Sequence, residues 1–267
     1  MIDQTPLDIA HAAMDAAPEN DMARLHFYER IADSELFLLL KYESTSEKIT
    51  PDLITVEGKE YVLLFDREER LADFVDGSAH HAALSGRVVA MMLAGQGIGL
   101  GVNLGVAPSS ILIPDQAVEW LVDMLGNTPD ETTAQPVSFD PPTELSKTLL
   151  SALDSKLATA AGLAAAAYLV KVTYADDRHG YMLAIIDAFP AARGALAKAV
   201  NEAVVFSGVQ MQPLDVAFFA ASDAVCTNLA KVGLRFDLPK DETTRQSPTA
   251  PGRDPDNPPI IRPYQTK

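Results

Sequence analysis

Hydrophobic and polar positions along this chain follow two different periods. Leu7, Ala10, Met14 and Ala17 share one helical face, behind Thr5 as a hydroxyl N-cap, Pro6 at the first helical position and Asp8 near the positive end of the dipole. Pro18 ends that helix, and Asn20 is placed to cap a second one through Ile31, with Leu25, Tyr28 and Ile31 in step. Asp33-Ser34 breaks the pattern. Leu36-Phe37-Leu38-Leu39-Leu40 is then continuous hydrophobe, the pattern of a short strand buried on both faces. Residues 43–51 are polar and read as a loop. Ile54-Thr55-Val56, a turn at Glu57-Gly58-Lys59 and residues 61–65 predict a hairpin. Asp66 and Glu69 have capping-box spacing, and Leu71, Phe74 and Val75 are expected to face that helix inward. A helix is expected over 87–94, a glycine-rich strand or loop over 95–102 and a short strand over 110–113. Pro114 then starts a helix striped by Val118, Leu121, Val122 and Leu125, with Trp120 beside the stripe.

Residues 127–142 interrupt this order. They are polar, carry Pro129, Pro136, Pro141 and Pro142, and have little to bury. Beyond them the pattern predicts helix (145–157), strand (163–174), strand (180–187), helix (191–206), strand (214–220), helix (223–232) and a short strand (234–237), with a hairpin turn at Asp176-Asp177-Arg178-His179-Gly180. Residues 239–267 hold seven prolines and no periodicity, as expected of a disordered tail, although Ile260-Ile261-Arg262-Pro263-Tyr264 is apolar for such a context. The fold class is therefore α+β. Two small mixed α/β-layer domains, 1–126 and 143–238, are joined by a proline-containing linker, 127–142, and followed by the tail. Each domain is expected to fold independently.

Charge narrows the function classes. The chain of 267 residues has a formal net charge of −16, and residues 1–126 alone contribute −13. Such a surface repels phosphate backbones, which argues against nucleic acid; it serves solubility first and would also favour a basic protein partner. The single cysteine, Cys226, excludes an internal disulfide and a thiolate metal cluster. The first residues lack the basic and apolar regions of a signal peptide, so a cytoplasmic protein is expected. No charge occurs between Arg87 and Asp115, but Gln96, Asn103, Pro108, two serines and five glycines make a membrane span a poor reading of that run.

A family resemblance rests on the helix-to-strand run over 25–40, the strand at 62–65 with its acidic helix start, and the Asn103-Leu104-Gly105 turn before a short strand and helix. Through these, residues 6–125 resemble the N-terminal domain of the SseB (enhanced serine sensitivity) family of bacterial proteins. To a lesser extent, residues 145–238 resemble that family's C-terminal domain. The family's turn often reads Asn-Pro-Gly, and Leu104 stands here in place of the proline. The resemblance implies a two-domain α+β protein whose molecular function is not established.

Chemical motifs are sparse. The run Gly95-Gln-Gly-Ile-Gly-Leu-Gly contains no G-x-G-x-x-G and is followed by no Gly-Lys-Ser/Thr, so no nucleotide cofactor is expected. Its period of two, at Gly95, Gly97, Gly99 and Gly101, would leave one strand face as bare backbone. That face would allow close internal packing or, together with Asn103, an interaction surface. His80-His81, read as helical, point apart and lack further ligands for a metal. Cys226 lies one turn beyond Ser222, read as an N-cap, a position that can lower a thiol pKa. Asp187 ends an apolar strand and is placed either for catalysis or to cap the helix at 191. No catalytic residue is assigned. The leading expectation is a non-enzymatic accessory or protein-interaction protein. The alternative is an enzyme or small-molecule sensor with its site between the two domains.

Overall fold

A computed structural model describes residues 4–43, 49–127 and 135–239. The chain forms two α+β units, each built on one mixed sheet. Residues 128–134 of the expected linker, residues 44–48 of the expected loop and residues 240–267 of the expected tail lie outside the described residues.

The first unit begins with helices α1 (Pro6–Ala16) and α2 (Asp21–Asp33). Thr5 caps α1 in a reciprocal box with Asp8, and the Asn20 side chain caps α2, as their sequence positions indicate. Five strands make the path of the sheet in the order β4 (His81–Ser85), β1 (Glu35–Leu39), β3 (Lys59–Phe65), β5 (Ile98–Val102) and β6 (Ile111–Ile113), and β2 (Leu53–Val56) forms the expected hairpin with β3. Glu57 and Gly58 both take positive φ (52° and 80°), the geometry of a hairpin turn that matches strand twist. Only β3 and β5 run parallel. Their crossover carries helix α3 (Glu68–Val75), β4 and helix α4 (Gly86–Leu93), and helix α5 (Asp115–Gly126) follows β6.

The continuous hydrophobe of β1 has the predicted cause. Leu36, Leu38 and Leu40 join Val62 and Leu64 of β3 in a core with α1, α2, α4 and α5, while Leu39 joins Leu63, Phe65 and Leu71 of α3 on the other face. Two expectations change here. His81 opens β4 instead of lying on a helix, because residues 81–85 pair along β1. Asp66 does not cap α3. The N-cap is Arg67, with no side-chain cap bond, because the Asp66 carboxylate is taken by Thr5 and Arg70.

The second unit contains β7 (Pro136–Asp140), helix α6 (Lys147–Ala158), β8 (Ala166–Tyr174), β9 (His179–Ile186), helix α7 (Arg193–Ser207), β10 (Leu214–Phe219), helix α8 (Val225–Val232) and β11 (Leu234–Asp237). The sheet order is β10-β9-β8-β11, with β7 also on β8. Strand β7 falls inside the span read as linker, where Phe139 finds an apolar cluster under α8. Helices α6 and α7 cover one face through Leu149, Leu153, Leu196 and Val200, and Leu229 of α8 covers the other. Asp187 caps no helix: with φ at 51° its carboxylate accepts from the Ala221 amide.

The two units touch through α7, which packs on α2 and α5. Phe206 of α7 is buried in the core of the first unit, beside Phe27 and Ile31.

Candidate functional site

Three arrangements stand out, two polar and one apolar. The first lies at the end of the N-terminal sheet. Asp8 is fully buried. Its carboxylate accepts from Arg70 Nη1 at 3.1 Å and Nη2 at 2.5 Å, from Ser109 Oγ at 2.6 Å and from the Thr5 amide at 3.0 Å. Arg70 Nη1 also donates to Asp66 at 2.8 Å, and the Thr5 hydroxyl donates to Asp66 at 2.6 Å. Asn103 completes the knot. Its amide nitrogen donates to Ser109 and its side-chain oxygen accepts from the Asp66 amide. Burial alone would push the Asp8 carboxyl up; the hydrogen bonds of Arg70, Ser109 and Thr5, with the Arg70 charge, outweigh it and hold it well below the usual carboxylate range. Each acid here is engaged by Arg70 and by hydroxyl or amide donors, so the knot ties α1 to the sheet.

The second arrangement lies between the units. Lys156 of α6 places Nζ 2.5 Å from Asp33, 3.3 Å from Glu202 and 3.4 Å from Glu29. Arg87 of α4 grips both oxygens of Glu202, at 3.1 and 3.0 Å, and reaches Asp33 at 2.6 Å. The Glu202 bonds, ahead of the cost of burial, raise the Arg87 pKa; for Asp33 burial is the largest influence and works upward, yet Lys156 and Arg87 outweigh it and lower its pKa. Three carboxylates thus meet Lys156, Arg87 and Arg30, and charge balances locally. Beside them is a cleft of about 260 Å³, lined by His26, Arg30, Ser151, Ser155 and Phe206 among others. The Arg30 Nε is buried there without a hydrogen-bond partner.

The third arrangement is apolar. Val88, Met91 and Met92 occupy one face of α4 and are exposed, Met91 by 62%. The helix runs directly into the exposed turn that carries Gly95 and Gly97, both at positive φ. The glycine period therefore divides. Gly95 and Gly97 stand on the surface beside this face, while Gly99, Gly101 and Asn103 are buried. A methyl group at Gly99 would lie 2.4 Å from the Ile113 carbonyl oxygen and 2.6 Å from the Tyr61 ring, and one at Gly101 would lie 2.8 Å from Leu104. The five residues do not make one surface strip. Gly99→Ala is expected to destabilise the protein by about 1–3 kcal/mol through overpacking. Gly97→Ala, with open space but a φ of 70°, is expected to lose about 1–2 kcal/mol from the left-handed backbone alone. Urea unfolding of both variants checks this, and unchanged midpoints would contradict the packing described.

The other sequence candidates separate from these sites. Among the described residues no group of three or more His, Cys, Asp or Glu is placed to hold a metal. His81 stacks edge-on against Phe37, and His179 contacts the Thr173 hydroxyl in the β8–β9 hairpin. Cys226 does not follow a capping serine, since the α8 N-cap is Ala224 without a side-chain cap bond. Its thiol donates to the Ala220 carbonyl, and burial, with Asp223 and Asp187, pushes its pKa up. Among the described residues no helix is long and apolar enough to cross a membrane; the uncharged run folds into α4, β5 and β6.

Residues 10–120 match the SseB protein N-terminal domain. The knot's Asp66, Arg70, Asn103 and Ser109 lie inside the matched span, and so do Val88, Met91 and Met92 of α4. No curated protein and no solved structure matches the chain.

Sequence reasoning singled out Gly95 and Gly97 but missed the α4 face beside them. The signal was present: Val88, Met91 and Met92 follow i, i+3, i+4 spacing beside the buried Val89, Ala90 and Leu93, so apolar residues cover more of α4 than one core-facing stripe needs.

Proposed function

We propose that this SseB-domain protein works without catalysing a reaction, as a cytoplasmic accessory protein that docks on a protein partner. The observation that carries this reading is the α4 face. Its buried neighbours supply the core, and Val88, Met91 and Met92 remain exposed on one side of a single helix. Methionine is flexible and polarizable, and it recurs on surfaces that adapt to a partner. The charged groups support the same reading, since Asp8, Asp66, Glu29, Asp33 and Glu202 are each engaged by Arg70, Arg87 or Lys156. The net charge of −16 favours a partner with a basic rim around its apolar contact. On this reading residues 145–238 are the C-terminal domain of the SseB type.

The test is the double variant Val88→Glu/Met91→Glu. Both side chains are exposed, so melting should be unchanged. A partner captured by the wild-type protein from the native cell, then purified and titrated, should bind the variant at least about tenfold more weakly, on the order of the 1–2 kcal/mol typical of a hot-spot contact. Equal affinity would remove α4 from the interface. A second reading, a small-molecule sensor, draws on the cleft between the units, which His26, Arg30, Ser151 and Ser155 line. A metabolite that raises the melting temperature of wild type and double variant alike would favour it.

A further inference from the structure

Among the described residues strand β10 lies at the edge of the second sheet and pairs only with β9, in parallel. Its backbone polarity can be read from two bonds. The Tyr181 amide donates to Pro213 O at 3.0 Å, and the Asp187 amide donates to Phe219 O at 2.9 Å. Polar groups alternate sides along a strand, so residues 213, 215, 217 and 219 turn theirs toward β9. The N–H and C=O groups of Leu214, Val216 and Phe218 therefore point outward, and among the described residues nothing takes them. Their side chains pack into the core under α6 and α7, which holds the edge in an extended form.

This edge lacks the usual protection. Exposed edges are normally blunted by shortness, proline, lysine or a bulge. Strand β10 reads Leu-Asp-Val-Ala-Phe-Phe, without lysine, proline or bulge, over 6 residues. The other edge strands are β2 and β11 with 4 residues each, β6 with 3, β4 with 5, and β7 with 5, a leading proline and a register shift. The one charge in β10, Asp215, lies on the sheet face and accepts from the Tyr174 hydroxyl at 2.5 Å.

We propose that β10 pairs antiparallel with β10 of a second copy, about a two-fold axis through Val216, and joins two sheets into one. The geometry selects this arrangement. In a parallel ladder a residue that bonds across sits opposite one that does not, so two identical edges cannot pair in register. In an antiparallel ladder, bonding residues face each other. Centring on Val216 uses all three outward residues: Val216 faces Val216, and Leu214 faces Phe218. On the other face Asp215 lies opposite Ala217 of the second copy. Centring on Asp215 would set two carboxylates directly opposite, which is destabilising. The two-fold contact is also closed, so it ends at a dimer and builds no filament.

The experiment uses the full chain. Sedimentation equilibrium at micromolar concentration should give twice the chain mass of 28.7 kDa, falling to the monomer on dilution. Residue-resolved hydrogen exchange should show the amides of Leu214, Val216 and Phe218 protected when concentrated and at least about tenfold less protected when dilute, while those of Asp215, Ala217 and Phe219 stay protected throughout. Val216→Pro removes one outward N–H and no bond to β9, a substitution edge strands accept, so it should keep the fold, with a lower melting temperature from the lost valine packing, and weaken dimerisation at least about tenfold. The proposal is overturned by a monomer at high concentration, by a dimer that Val216→Pro does not weaken, or by outward amides whose exchange ignores dilution. Should the proline variant fail to fold, the dilution dependence of the wild-type amides decides alone.

Discussion

Replacing Asp8 by alanine is expected to cost about 3–5 kcal/mol, a large part of the stability of a small domain. Asp8 is fully buried, and its removal would leave the Arg70 guanidinium, itself buried, with Asp66 as its remaining acid partner. The Ser109 hydroxyl and the Thr5 amide would also lose their acceptor. Arg70 keeps Asp66 as a counter-charge, so the loss comes from several buried donors left together without their acceptor, one of the few single-site causes of such a cost. Asp8→Asn keeps the shape and some acceptors and should fall between the wild type and the alanine variant.

The same carboxylate makes a signed prediction about pH. Its pairing holds the folded-state pKa below the ordinary value, so the folded state binds fewer protons than the unfolded one at acid pH. The stabilisation is complete above the unfolded value of about 4 and is lost as pH falls below it toward the folded value. Asp33, also lowered, adds to the same window. Urea midpoints measured from pH 7 down to pH 3 should decline more gently for Asp8→Ala than for the wild type. Parallel curves would show that Asp8 is not the linked group.

Lys156→Met is expected to cost a similar amount, about 3–5 kcal/mol, and to change how the protein melts. The methionine keeps an apolar stem of comparable length and removes only the ammonium. Glu29, Asp33 and Glu202 would then converge with Arg87 and Arg30 as their cations. Glu29 and Asp33 belong to α2, and Glu202 to α7, so their repulsion acts across the contact between the two units. That contact, with Phe206 seated in the first core, gives reason to expect one coupled transition in the wild type. Differential scanning calorimetry of Lys156→Met should show two transitions, the lower one well below the wild-type melting temperature. A single transition at the wild-type temperature would mean that the ion cluster does not couple the units.

These effects lie where sequence reading was weakest. The α+β class, the caps at Thr5 and Asn20, the β2–β3 hairpin and the alternation of strand and helix after residue 145 were all legible. Each depends on neighbours within about one or two helical turns, where residue type and spacing act directly on the backbone. The burial of β1 on both faces was legible for the same reason, since five consecutive apolar residues leave no polar side. The knot was half legible. Thr5 and Asp8 show their capping box, and Asp66 and Arg70 stand four apart on the chain. Nothing local says that Asp8 and Arg70, separated by 62 positions, share one buried pair. A similar distance, 61 positions, separates Thr5 from Asp66, and Asp66 was misassigned as a cap because a local rule cannot see that Thr5, with Arg70, takes its oxygens.

The amino-acid sequence by itself determined most of the segments that become helix or strand, because backbone preference, capping and hydrophobic period are set by nearby residues; β4 and β7 are the exceptions, made strands by their distant partners β1 and β8. Only the tertiary structure decided which charges neutralise one another across the units, which glycines touch a neighbour and which stand open, and which apolar face of α4 stays uncovered. Those outcomes depend on the packing of elements far apart in the chain, and burial there changes the energy of a charge or a methyl group more than its identity does.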